Sequence, residues 1–251
     1  MEPYMVIELS LIGIVIGALS GFFGIGGGTV LVPVLLLLGF EMKAAVGISI
    51  MQMVFSSIYG SYLNVKKGSL KLGEGLYVGL GGALGGYLSG YLVSYIPDIV
   101  LQSVFVGFVL FAIYRMATGK HHDEHSSEHD LPAYVLFGIG VGIGLIAISI
   151  GVGGAIILIP LLSGMLHYPV KKAVSAGLFF VVFSSIAGFI GRWMHGEIDL
   201  HNGLIVGIAS LIGVYVGIHL KERVSSHHHK RFIVAMYSFI LAIMLYKMFL
   251  G

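Results

Sequence analysis

The chain has 251 residues, of which 57% are hydrophobic and 10% charged; its formal net charge is +2 and its mean hydropathy +0.98. Soluble domains carry about 25% charged residues, so a soluble globular enzyme or a nucleic-acid-binding module is excluded and the chain reads as an all-α polytopic membrane protein. Cysteine is absent, which excludes disulfides, thiolate metal sites and cysteine nucleophiles.

In chain order, apolar segments fall at about 5–23, 28–40, 44–64, 73–95 and 98–117. The polar stretch TGKHHDEHSSEHD follows at 118–130, and then apolar segments at about 131–149, 154–167, 171–193, 200–220 and 230–250. The runs are continuous, whereas a transmembrane barrel needs alternation. They predict about eight to ten membrane segments. The polar stretch divides a first transmembrane repeat, 1–117, from a second, 131–251, with 118–130 as a His- and acid-rich linker.

The halves resemble each other. A shift of 128 lays KAAVGISIMQMVFSSIYG (43–60) on KKAVSAGLFFVVFSSIAG (171–188), with VFSSI identical. Upstream, a shift of 127 lays Gly24, Gly26, Gly27 and Pro33 on Gly151, Gly153, Gly154 and Pro160. Residues 5–40 as one helix would exceed about 50 Å, against a hydrocarbon core of about 30 Å, so the chain is expected to turn back at the glycines. The segment that follows has the length of a re-entrant half-helix. Loop charges favour inversion. Lys66, Lys67 and Lys71 follow the third segment, whereas its equivalent is followed by Arg192, Glu197 and Asp199; the next loops reverse this, with Asp98 against Lys221, Arg223, Lys230 and Arg231. By the positive-inside rule, equivalent loops then lie on opposite sides. Parallel repeats stay open if the first two segments form one broken, tilted helix.

Glycine costs a helix about 1 kcal/mol relative to alanine, and non-helical backbone at membrane depth is tolerated only where protein buries it or a cavity faces it. Two related breaks, GFFGIGGG (21–28) and GVGG (151–154), therefore suggest a ligand site between the repeats. Each precedes a short segment whose positive dipole end points into the gap, a setting for an anion that needs no buried Lys or Arg. The candidate substrate-binding residues are Gly24, Gly26, Gly27, Gly28 and Thr29 in the first break and Gly151, Gly153 and Gly154 in the second. Polar neighbours join them: Ser49, Gln52 or Met53, Ser56, Gly60 and Asn64 share one face of the third segment, and Ser184, Gly188 and Arg192 form the matching stripe. Simpler readings compete. Glycines also serve close helix packing, serines bond their own helix, and Arg192 beside Trp193 reads as an interfacial anchor as readily as a ligand contact.

Taken together, GFFGIGGGTVLVPVLLLLGF, KAAVGISIMQMVFSSIYG and GVGGAIILIPLLSGMLHYPVKKAVSAGLFFVVFSSIAG resemble the TauE/SafE family of bacterial and archaeal membrane permeases, over nearly the whole chain. That resemblance implies export of sulfite or small organosulfonates, such as sulfoacetate, across the prokaryotic cytoplasmic membrane. The 118–130 loop is richer in histidine than the family pattern. Its His121, His125 and His129 are spaced to share a helical face and would suit Zn²⁺ or Ni²⁺. The competing readings are a divalent-metal exporter that captures its cargo there and a plain solvated linker. No Walker motif, HExxH or GxSxG is present, so no enzyme activity is expected and no cofactor is implied. The expected partners are a small anionic substrate, the lipid bilayer, H⁺ or Na⁺ as coupling ion and a second copy of the chain; nucleic acid is not among them.

Overall fold

The computed structural model describes residues 3–23, 26–66, 75–118, 132–162, 170–196, 198–221 and 226–250. Among the described residues there are ten α-helices and no strand. The first half holds α1 (Pro3–Phe23), α2 (Gly28–Leu37), α3 (Met42–Lys66), α4 (Leu76–Val93) and α5 (Asp98–Thr118). The second holds α6 (Ala133–Ser149), α7 (Ala155–Pro160), α8 (Val170–Met194), α9 (Leu200–Lys221) and α10 (Ser226–Leu250).

Local chemistry sets the ends. Pro97 and Pro132 stand immediately before α5 and α6, where a proline cannot continue a preceding helix. Asp199 caps α9, its carboxylate accepting the Asn202 N–H at 3.1 Å. α2 stops at Gly39, where φ is +89°; the Phe40 N–H returns to the Leu35 carbonyl and the Gly39 N–H to the Leu36 carbonyl, both at 3.1 Å, the pairing of a Schellman cap. The second short segment, expected at 154–167, begins as α7; its α-helical part runs to Pro160, Leu161 and Leu162 continue it as a π-turn, and residues 163–169 lie outside those described.

Glycines bring the helices into backbone contact. On α1, Gly13, Gly17 and Gly21 meet Val206, Ser210 and Val214 of α9, so the two run parallel. On α4, Gly81 and Gly85 meet Phe137 and Val141 of α6, while Gly79, Gly86 and Gly90 meet Phe183, Ser184 and Gly191 of α8. These three also run parallel. Gly203 and Gly207 of α9 meet Met51 and Phe55 of α3 in the same sense. The repeat-equivalent pair α3 and α8 runs the other way: Val181 lies near Met53 beside Gly26, and Arg192 reaches Lys43. The repeats are therefore inverted, and the parallel alternative falls. Packing is reciprocal too, since α1 on α9 mirrors α6 on α4, and α3 on α9 mirrors α8 on α4. Each half thus lends its first helix to the other.

Tyr4–Phe23, Met42–Lys66, Leu76–Val93 and Leu200–Leu220 are each long and apolar enough to cross a membrane, and five shorter apolar helices accompany them among the described residues. Large apolar side chains such as Leu11, Ile212 and Phe239 are more than half exposed. In water such a surface would be an aggregation hazard; in lipid it is the solvated face. The core lies around α2 and the first half of α3, where Leu31, Val32, Leu35, Ile48, Ile50 and Met53 are fully buried.

Candidate functional site

α1 continues past the depth at which α2 begins. A Cβ on Gly27 would lie 2.5 Å from Ile16 Cγ2, seven residues before the end of α1. The chain therefore doubles back across the last two turns of α1, and α2 starts inside the bundle. With ten residues, α2 covers about 15 Å, half of the hydrocarbon thickness. Left-handed backbone makes the reversals: φ is +64° at Gly26 and +64° at Gly154, a region closed to most side chains.

The two breaks touch. A Cβ on Gly28 would fall onto the Gly151 carbonyl oxygen. Ser49 donates its hydroxyl to that oxygen at 2.9 Å, and Thr29 Oγ1 reaches the Val152 carbonyl at 3.5 Å. No side chain caps the N-terminus of α2 or of α7. In α2 the Val30 and Leu31 N–H groups turn to the Gly27 carbonyl.

Gln52 adjoins this crossing. It is fully buried, and its Oε1 would stand 3.1 Å from a Cβ on Gly27. Neither its Oε1 nor its Nε2 finds a hydrogen-bond partner among the described residues. A buried unsatisfied amide costs about 1–3 kcal/mol, in a place where leucine or methionine would fill the same volume at no such cost.

The structure gathers Gly26, Gly27, Gly28, Thr29, Gln52 and Gly151 at one place, together with Ser49 from the polar face of the third segment. The signal for Ser49 was its spacing: it precedes Gln52 by three and Ser56 by seven, one helical face. Gly154 packs on Phe180 and Ala147, and Gly153 is buried in the turn before α7. Ser56 and Ser184 give their hydroxyl protons to their own helix, at Met53 and Val181, as membrane serines commonly do. Ser184 is sealed beneath Gly86 of α4. Arg192 is fully buried, its guanidinium donating to the carbonyls of Lys43 at 3.3 Å and Ser149 at 3.4 Å. Trp193 is half exposed, whereas the burial of Arg192 takes its guanidinium away from any interface. Gly24 and the loop histidines His121, His125 and His129 lie outside the described residues.

Ser56 does line a cleft. With Ser20, Gly26, Ser57, Gly60 and Asn64 it lines a cavity of about 30 Å³, which Val181, Val214 and Ile218 also line. That is room for a water or two, and the lining is hydroxyl and amide with no charge.

A family model described as "Sulfite exporter TauE/SafE" matches residues 9–245. Among curated proteins, a probable membrane transporter protein of Methanocaldococcus jannaschii is 29% identical over 238 residues, covering 88% of this chain and 88% of its own. The probable membrane transporter protein YdhB of Bacillus subtilis is 26% identical over 213 residues, covering 82% and 86%. No solved structure matches the chain.

Proposed function

The chain belongs to the sulfite exporter TauE/SafE family of membrane transporters, and from that premise we propose that it carries a small sulfur oxyanion, sulfite or an organosulfonate, outward across a prokaryotic cytoplasmic membrane. The anion binds where the two glycine breaks meet. The observation that carries this reading is Gln52, a fully buried amide with both polar atoms unpartnered among the described residues, beside Gly27 at the start of α2. An anion there receives the Gln52 Nε2–H, the hydroxyls of Thr29 and Ser49 once they turn from backbone carbonyls, and the field of the α2 dipole. Neutral donors suit a carrier, because a buried cation would hold the anion too tightly to release it. Coupling to H⁺ or Na⁺ supplies the driving force.

The test is uptake of radiolabelled sulfite by purified protein in liposomes, under imposed proton or sodium gradients. Wild type should accumulate label, and Gln52→Met should move less than a tenth as much. The variant should melt no lower than wild type, since it removes an unsatisfied buried amide. Wild-type transport rates in Gln52→Met would remove the site from the crossing. Failure of wild type to move any sulfur oxyanion would remove the substrate class.

A further inference from the structure

The inverted repeats are built alike, yet the packing around equivalent positions differs. Under the shift of 128, Ser57, Gly60 and Asn64 of α3 correspond to Ser185, Gly188 and Arg192 of α8. Around the first set the packing is loose: the nearest atom to a Cβ on Gly60 is Val214 Cγ1 at 3.8 Å, and the cavity lies beside it. Around the second set there is no such room, since a Cβ on Gly188 would meet Ile148 Cγ2 at 2.5 Å. Arg192 fills the place that Asn64 holds in the other half, tying the end of α8 to the last residue of α6 and the start of α3. That corner is fastened further. Lys43 Nζ donates to the Ser94 carbonyl at 3.2 Å, and Asp98 accepts the Met42 N–H at 3.2 Å.

The two sets lie toward opposite ends of the bundle. The loosely packed one, with its cavity, lies toward the ends of α3 and α9. Lys66, Lys67 and Lys71 follow α3, and Lys221, Arg223, Lys230 and Arg231 cluster where α9 gives way to α10. The positive-inside rule places that end in the cytoplasm. The tightly packed set then faces outward.

We propose that the structure is the cytoplasm-open state of the carrier, with Ser57 and Asn64 lining the loading vestibule and Arg192 latching the outer one. This rests on the transporter reading but not on the identity of the cargo. The latch bears a charge for a reason. A fully buried guanidinium is costly unless its donors are met, so its bonds to two helix-end carbonyls hold only while the vestibule stays closed. On opening, the freed guanidinium is an anion-attracting group at the exit mouth.

The chain lacks cysteine, so single thiols report access directly. Full-length Ser57→Cys and Ser185→Cys would be treated with a membrane-impermeant methanethiosulfonate in inside-out and right-side-out vesicles, each with native Arg192 and with Arg192→Gln. With Arg192 intact, Ser57→Cys should react in inside-out vesicles only, and Ser185→Cys at least tenfold more slowly from either face. With Arg192→Gln, the Ser185→Cys rate from outside should rise at least fivefold while that of Ser57→Cys falls. A purely structural arginine would not produce that reciprocal change. If Arg192→Gln does not fold, Arg192→Lys, which keeps the charge and loses the fork, should give the same direction of change. Reaction of Ser57→Cys from outside would overturn the orientation, and rates indifferent to residue 192 would overturn the latch. No arm contains substrate, so a wrong cargo leaves all of these outcomes unchanged.

Discussion

Glycines with identical helix cost do opposite work in this chain. Gly28 and Gly107 are both helical. A Cβ on Gly28 meets the Gly151 carbonyl oxygen, the Ser49 hydroxyl and the Met53 sulfur, whereas a Cβ on Gly107 meets nothing within 4 Å. Gly107→Ala should therefore raise stability, by up to about 1 kcal/mol. Gly28→Ala must push the two breaks apart, an overpacking cost of about 1–3 kcal/mol, and should cut transport at least tenfold. Thermal unfolding in detergent and liposome uptake of the two variants check both signs. The sequence could mark Gly28 by its place in a repeated break. It could not show that the neighbour is Gly151, because the shift of 127 aligns the two breaks in the chain without saying that they touch. Gln52 was legible as a polar residue on a polar face. Its unpartnered amide was not, since a partner's absence depends on every helix around it.

At the scale of elements, most of the fold could be read in advance. The segment expected at 44–64 is α3 at Met42–Lys66, and that expected at 200–220 is α9 at Leu200–Lys221. Membrane helices are long continuous apolar runs, and proline or polar residues end them. The second short segment begins as α7, with Leu161 and Leu162 still helical after Pro160, and the rest of 154–167 lies outside the described residues. Inversion was legible from loop charges, and helix exchange between halves was not: α1 chooses α9 through complementary small residues that no single segment discloses. The start of α9 is held by Asp199, which accepts from the Asn202 N–H and its amide. Asp199→Ala should thus lower stability by about 0.5–2 kcal/mol, the usual worth of such a cap. Transport per folded molecule should be unchanged, because neither Asp199 nor Asn202 is among the residues that meet at the crossing. A melting curve alongside uptake normalised to folded protein separates the two effects.

At the scale of the whole molecule, the asymmetry between the two halves is written into the sequence. The shift of 128 that pairs Ser57 with Ser185 also pairs Gly86 and Gly90 of α4 with Val214 and Ile218 of α9. Where the residues are glycine, α8 lies on α4 backbone to backbone, at Ser184 and Gly191. Where they are valine and isoleucine, side chains wedge α3 away from α9 and the cavity persists. Symmetric repeats would leave the two access states of equal energy; unequal wedges bias them. An energy difference of about 1.4 kcal/mol already gives a tenfold preference, within reach of a few methyl groups at about 0.8 kcal/mol per buried CH₂. Removing the wedge should thus move the balance. Val214→Ala with Ile218→Ala lets α3 settle on α9, and the Ser57→Cys labelling rate from the cytoplasmic face should drop severalfold, with Ser185→Cys rising from outside as α8 leaves α4. If instead the cleft merely widens, Ser57→Cys would label faster in the double variant. The wedge would then be plain filling, and the preference for one state would have to come from the Arg192 corner alone.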